Sequence, residues 1–146
     1  MSFQIINQKF LNYKLDEEKI FKILNTLFKN EKTEVELVSI ILQNDKYLKY
    51  LKNIYFNQDV YTDVISFNLE DSGSPIDGEI YISLPRVIDN ANKYKSNLND
   101  EFKRIIIHGL LHLVGYNDKT EIDKKYMINL ENKYININPG VIISYE

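Results

Sequence analysis

Cysteine is absent from the 146 residues, so no disulfide can staple the chain, and any metal must be held by nitrogen and oxygen ligands alone. Zinc fingers and ribbons are excluded. No apolar run approaches membrane-spanning length, and the opening Met1-Ser2-Phe3-Gln4-Ile5-Ile6 lacks a basic segment, an apolar stretch and a small-residue cleavage site. The expectation is a cytoplasmic protein. An excess of basic charge is missing too: 18 lysines and arginines against 21 acids give −3, so a nucleic-acid partner would need a local basic patch. Tryptophan is absent, and Arg86 and Arg104 are the only arginines. Histidine is equally scarce, and its two copies, His108 and His112, stand four residues apart.

What is present suits one domain with one core, residues 1–146, at 44% hydrophobic and 27% charged residues. Phe3 to Ile6 reads as a short edge strand. Asp16 caps a helix with Glu17 and Glu18 in its first turn, and Ile20, Ile23, Leu24, Leu27 and Phe28 recur at helical spacing until Lys29-Asn30. Val35 to Leu42 is β-branched and aliphatic and predicts a strand. Asn44-Asp45 then opens a helix that turns Tyr47, Leu48, Leu51 and Ile54 inward. Val60 to Leu69 and Gly78 to Ser83 alternate as half-buried strands, and Asp71-Ser72-Gly73-Ser74-Pro75 between them predicts a turn joining neighbours. Ser83 and Pro85 start a helix running toward Tyr94.

Asn97 or Asn99 caps a long helix with Asp100 and Glu101 in its first turn and Phe102, Ile105, Ile106, Leu110 and Leu113 inward. Ile107, Leu111 and Val114 are apolar as well, so this helix is central. Thr120-Glu121-Ile122-Asp123 predicts a last helix with Ile122, Tyr126, Leu130 and Tyr134 on its packed face. Val141 to Tyr145 is either a terminal strand or a tail. The pattern is a single α/β (α+β) domain in which a small mixed sheet packs with helices around an apolar helix carrying both histidines.

On a helix, residues at i and i+4 share a face, so two imidazoles there can converge on one ion at about 2.0–2.1 Å each. Gly115, three residues after His112, stops the helix with a sharp turn. Asp118 can then swing back as a third ligand, which gives HxxxHxxGxxD with a fourth position open to water, the plan of a catalytic zinc site. The other reading of the pair is two hydrogen-bonded core histidines with an ordinary helix stop. Zinc in such a site lowers the pKa of bound water to about 7, which is the chemistry of a hydrolase. Gly109 stands where zinc proteases of this spacing carry the glutamate base, so a metalloprotease lacks its proton acceptor. Asp63 and Glu79, with Ser66, are candidates to orient a water or a histidine N–H. Lys93-Tyr94-Lys95 and Lys124-Lys125-Tyr126 could contact phosphates and stack on bases.

The segment HGLLHLVGYND, preceded by TDVISF and GEIYIS, resembles the YbeY family of single-domain, metal-dependent endoribonucleases of bacterial ribosomal RNA maturation. The resemblance runs from about Val35 through the last helix. It implies a compact α/β sandwich, zinc on His108 and His112, and single-strand-directed cleavage in rRNA maturation and small-subunit quality control. The partners it implies are ribosomal RNA and the small ribosomal subunit, with a ribosomal protein and an assembly GTPase. Two positions depart from the family's pattern. Asp118 stands at the place of a third histidine, with Asn117 where an aspartate is usual. Phe56 stands at the place of an arginine that would clamp phosphate, leaving Arg104, Arg86 or a lysine to supply a cation. The catalytic candidates are therefore Asp63, Glu79 and Arg104, the metal ligands His108, His112 and Asp118. The alternative function is a zinc-containing assembly factor that binds without cutting.

Overall fold

Alternation of apolar side chains builds one sheet, and the computed structural model, which describes residues 1–146, shows four strands in it. β1 (Ser2–Ile6) lies at one edge, parallel to β3 (Val35–Gln43); β3 is parallel to β5 (Ile76–Ser83), and β4 (Val64–Asn68) closes the other edge antiparallel to β5. β2 (Tyr13–Leu15) and β6 (Ile143–Tyr145) pair antiparallel as a separate ribbon, so the C-terminal segment is a strand. β2 has only three residues and no periodicity to announce it.

Each helix begins where its cap dictates. Asp16, Asn44, Ser83, Asn97 and Thr120 accept from the third backbone N–H of α1 (Glu17–Asn30), α2 (Asp45–Phe56), α3 (Leu84–Lys93), α4 (Leu98–Val114) and α5 (Glu121–Asn136) respectively. Asn99 is not the cap of α4; its side chain instead donates to Gly140 O and accepts from Ile142 N, tying the tail to the helix.

α4 is the central element, fully buried at Ile106, Ile107, Leu110 and Leu111. It lies close on the sheet because two glycines permit it. A Cβ on Gly78 would come 2.8 Å from Leu113 Cδ1, and one on Gly109 would come 3.0 Å from Ile80 Cγ2 and 3.1 Å from Ser66 Oγ. Ser66 Oγ then donates to the Gly109 carbonyl at 2.9 Å. A side chain at the position after the first histidine would thus press on Ile80, Ser66 and Val64 and push them back, which is a packing reason for its glycine. α2 covers the opposite face of β4 and β5, where Leu48, Leu51 and Ile65 form a smaller core with Tyr47, Phe67 and Tyr81.

Three expectations need correcting. The strand expected over Val60–Leu69 spans only Val64–Asn68, because its partner β5 ends at Ser83 as α3 begins, and residues 60–63 have nothing to pair with beyond Ser83 N donating to Asp63 O. Ile54 is 53% exposed, since the second core closes over Leu48 and Leu51 a turn earlier. In α5 the buried residues are Met127, Glu131 and Tyr134, while Ile122 is 81% exposed. The helix is rotated so that a carboxylate faces inward, and the site explains why.

Candidate metal centre

Arg104, His108 and His112 occupy one stripe of α4, four residues apart, and the stripe opens toward α5 and the loop that follows Gly115. Gly115 caps α4 at φ +119°, a left-handed turn that costs a glycine little, and sends the chain back over the helix end. Asp118 returns with Oδ2 at 3.6 Å from His108 Nε2 and 3.9 Å from His112 Nε2. The two Nε2 atoms face each other at 3.0 Å.

The ring orientations are fixed from outside. His108 Nδ1 lies 2.8 Å from Glu131 Oε2, and His112 Nδ1 lies 3.1 Å from Tyr116 O. A carboxylate and a carbonyl only accept, so both Nδ1 atoms carry hydrogen, and in the neutral imidazoles both Nε2 lone pairs point at the same spot. Two facing lone pairs and a carboxylate call for a shared cation. One ligand atom from each of the three residues lies within 4.8 Å of the others, a span that suits one small ion at about 2.0–2.2 Å from each. The donor set therefore fits a divalent metal, and nitrogen and oxygen ligands suit zinc.

Further contacts hold this arrangement. Glu131 is almost wholly buried and has a second partner, Arg104, whose Nη1 donates to Oε1 at 2.8 Å while Nη2 donates to Asn132 Oδ1 at 2.7 Å. On the other side, Tyr116 OH donates to Glu31 Oε1 at 2.6 Å and Tyr134 OH donates to Glu31 Oε2. Glu31, at the end of α1, thereby pins the segment whose carbonyl orients His112. The electrostatics separate the two imidazoles. Burial alone would lower the pKa of His108, but the hydrogen bond and charge of Glu131, with Asp118 and Asp63, overcome it and raise the value. Burial and the neighbouring His108 lower that of His112.

The ligands open into a cavity of about 500 Å3 shared with Asp63, Ser66, Lys52 and Phe56. A second hollow of about 300 Å3 joins it at His108 and Asp63 and is walled by Arg104, Glu101, Tyr94 and Asn90. Asp63 accepts from Asn90 Nδ2 at 3.2 Å; burial raises its pKa against the lowering pull of backbone N–H groups and His108. Of the residues expected from sequence, His108, His112 and Asp118 converge, and Asp63 and Arg104 flank them. Glu79 does not join them. Gly78 and Ile80 face α4, so by the two-residue alternation of a strand Glu79 points to the α2 side, where Tyr81 OH donates to it at 3.3 Å. Arg86 is likewise taken up by Asp45, through Nε at 3.1 Å and Nη2 at 2.5 Å.

The family model described as Endoribonuclease YbeY matches residues 4–138. A protein named endoribonuclease YbeY from Chloroherpeton thalassium is 37% identical over 131 residues, covering 90% of this chain and 92% of its own. The chain belongs to the YbeY endoribonuclease family. Another member, from Karelsulcia muelleri, is 43% identical over 102 residues, covering 69% of this chain and 71% of its own. The fold is shared as well: a Thermotoga maritima protein solved in solution superposes with a TM-score of 0.59 at 28% identity, covering 92% of this chain and 86% of its own. No helix is long and apolar enough to cross a membrane.

Within this YbeY domain, sequence reasoning missed Glu131. Its signal was available, since Met127, Glu131 and Tyr134 have the spacing of a packed stripe and only one of them is charged. Phe56, where the family resemblance expects an arginine, lines the metal cavity, and Lys52 reaches across it with Nζ 4.7 Å from the ring centroid. A cation is therefore present beside the site, delivered from one helical turn earlier.

Proposed function

We propose that the chain is a zinc-dependent, single-strand-directed endoribonuclease that matures ribosomal RNA in the cytoplasm and acts in small-subunit quality control. The observation that carries this reading is the pair of Nε2 atoms at 3.0 Å, both tautomers fixed from behind, with Asp118 closing the third side. Membership of an endoribonuclease family supplies the substrate class. Ribosomal RNA on the small subunit, a ribosomal protein and an assembly GTPase are the partners that accompany the reading.

His108, His112 and Asp118 would hold the ion, and a divalent zinc there supplies Lewis acidity toward a phosphodiester and an activated water. Charge balance favours a resident cation. Asp63, Asp118, Glu101 and Glu131 surround the histidines, Arg104 is engaged by Glu131, and an RNA phosphate would otherwise meet net negative charge. Glu131 keeps His108 in its ligating tautomer and position. Asp63, with its pKa raised by burial, is suited to take a proton at its carboxylate from an attacking water and to release it later. Lys52 stands where it can offset charge on the phosphate.

Purified chain, stripped of metal and reloaded with zinc, is expected to cut a single-stranded RNA oligonucleotide while sparing a duplex of the same sequence. The metal-free form and His112→Ala should be inert. Zinc-loaded chain that binds small subunits but leaves RNA intact would instead favour the non-cleaving assembly factor.

A further inference from the structure

The last turn of α2 and the segment after it leave large rings in the open: Tyr55 is 65% exposed, Tyr61 49% and Phe56 44%. These rings are nonetheless held. Phe56 stacks on Phe67 with centroids 5.9 Å apart at 22°, and Tyr55 meets the same ring edge-on at 5.2 Å. Left-handed Asn57 then ends the helix, so Phe56 sits at a fixed corner of the fold. Cations accompany the rings, with Lys52 Nζ 4.7 Å from Phe56 and Lys49 Nζ 4.4 Å from Tyr61.

The position decides what this corner serves. Phe56 and Lys52 line the same cavity as His108, His112 and Asp118, so whatever occupies the metal centre runs past them. A fixed, partly exposed ring with an ammonium lying over it that makes no ion pair, and a metal centre next door, is a combination that suits one unstacked nucleotide: the base displaces the ammonium from the ring and the ammonium takes its phosphate. A protein partner would be expected to cover the apolar surface without following it into a cavity walled by carboxylates. A flexible single strand can do both.

We propose that Phe56 is the stacking platform for the base adjoining the scissile phosphate, and that Lys52 contacts the phosphate of that nucleotide. This rests on the ribonuclease reading. It assigns Phe56 a role in specificity for single-stranded substrate, because a base within a duplex has no free face to offer the ring. Stacking of this kind tolerates any base, so the platform selects for strandedness and not for sequence.

The test uses zinc-loaded chain and a short single-stranded RNA, with binding followed by fluorescence anisotropy and cleavage by initial rates. Phe56→Leu is expected to weaken binding and raise KM about tenfold with kcat little changed, and Phe56→Tyr to restore both. An abasic nucleotide walked along the strand should, at one position, cost the wild type about the same factor and cost Phe56→Leu nothing; a merely structural ring would show no such position. Lys52→Gln should lower the slope of log affinity against log salt by about one. If the wild type cuts RNA while Phe56→Leu has the same KM and the same abasic profile, the platform is overturned and the nuclease reading stands. A wild type that neither binds nor cuts RNA removes both. Loss of self-association in Phe56→Leu with RNA affinity intact would assign the surface to a second copy of the chain and overturn the proposal.

Discussion

The α5 side and the α2 side of the metal cavity are built on opposite principles. Toward α5 the groups behind the histidines are committed to one another: Glu131 is buried, bonded to His108 and Arg104, and Arg104 is bonded in turn to Asn132. Toward α2 the aromatic rings are exposed and stack on one another, and Lys52 lies over the Phe56 ring without an ion pair. A metal ligand needs fixed geometry, and buried, mutually satisfied charges supply it. A substrate strand needs an open surface that many bases can use. The difference teaches that metal affinity and RNA affinity should be separable by mutation in this molecule, although both converge on one cavity.

The largest effect is expected on the ligand stripe. His112→Ala should remove bound zinc and reduce RNA cleavage to background while the fold persists, since the residue is only partly buried; metal analysis, cleavage assays and circular dichroism check the three parts. Next comes the support. Glu131→Ala leaves Arg104 Nη1 and the His108 Nδ1–H without their acceptor, and should weaken zinc binding about 10–100-fold in chelator competition. It should also destabilise the chain by about 1–3 kcal/mol in denaturant unfolding. Phe56→Leu, by contrast, should retain its full zinc content. A Phe56→Leu chain that lost zinc along with RNA affinity would erase the distinction between the two sides.

Acidity sharpens the same comparison. Only a neutral imidazole ligates, and the pKa of His108 is raised by Glu131 whereas that of His112 is lowered, so His108 protonates first as pH falls. Zinc affinity should therefore be insensitive to His108 above its raised pKa and drop about tenfold per pH unit below it, one proton displacing one ion. Glu131→Gln removes the charge that raises that pKa, so the drop should begin at lower pH. Zinc affinity followed by a competing chromophoric chelator across the range reads both. The smallest effect lies on the far face of α5. Ile122→Ser should change stability by no more than about 0.5 kcal/mol because the residue is exposed, while Met127→Ala, five residues on and buried, should cost about 2–5 kcal/mol.

These contrasts show which parts of the site can be read along a chain. His108, His112, Gly115 and Asp118 are close in sequence, and their meeting follows from helical periodicity plus one left-handed glycine, both local rules. The caps at Asp16, Asn44, Ser83 and Thr120 are local in the same sense. Glu131 has a local signal in the stripe it shares with Met127 and Tyr134, but its role has none, because its partners lie 23 and 27 residues away on another helix. The apolar spacing of Ile122, Tyr126, Leu130 and Tyr134 competes with that of Met127, Glu131 and Tyr134, and only the tertiary demand of His108 and Arg104 for a carboxylate decides between them. Glu79 was a different kind of miss. Alternation separates the two faces of β5, and an acid's place within a strand does not say which face it takes; Gly78 and Ile80, the small and apolar alternates, were the residues able to face the close-packed α4. Asp63 reached the cavity although the strand expected to carry it starts one residue later.

The central claim is that three side chains, one of them a carboxylate in a histidine's place, form a zinc centre. Its most direct test is the zinc content of the purified chain beside Asp118→Ala, measured by elemental analysis after dialysis against a weak chelator. The wild type should retain about one zinc per chain and Asp118→Ala far less, as expected when a three-ligand site is reduced to two imidazoles. Equal, stoichiometric zinc in the two proteins would contradict the assignment of Asp118 and with it the geometry on which the proposed catalysis stands.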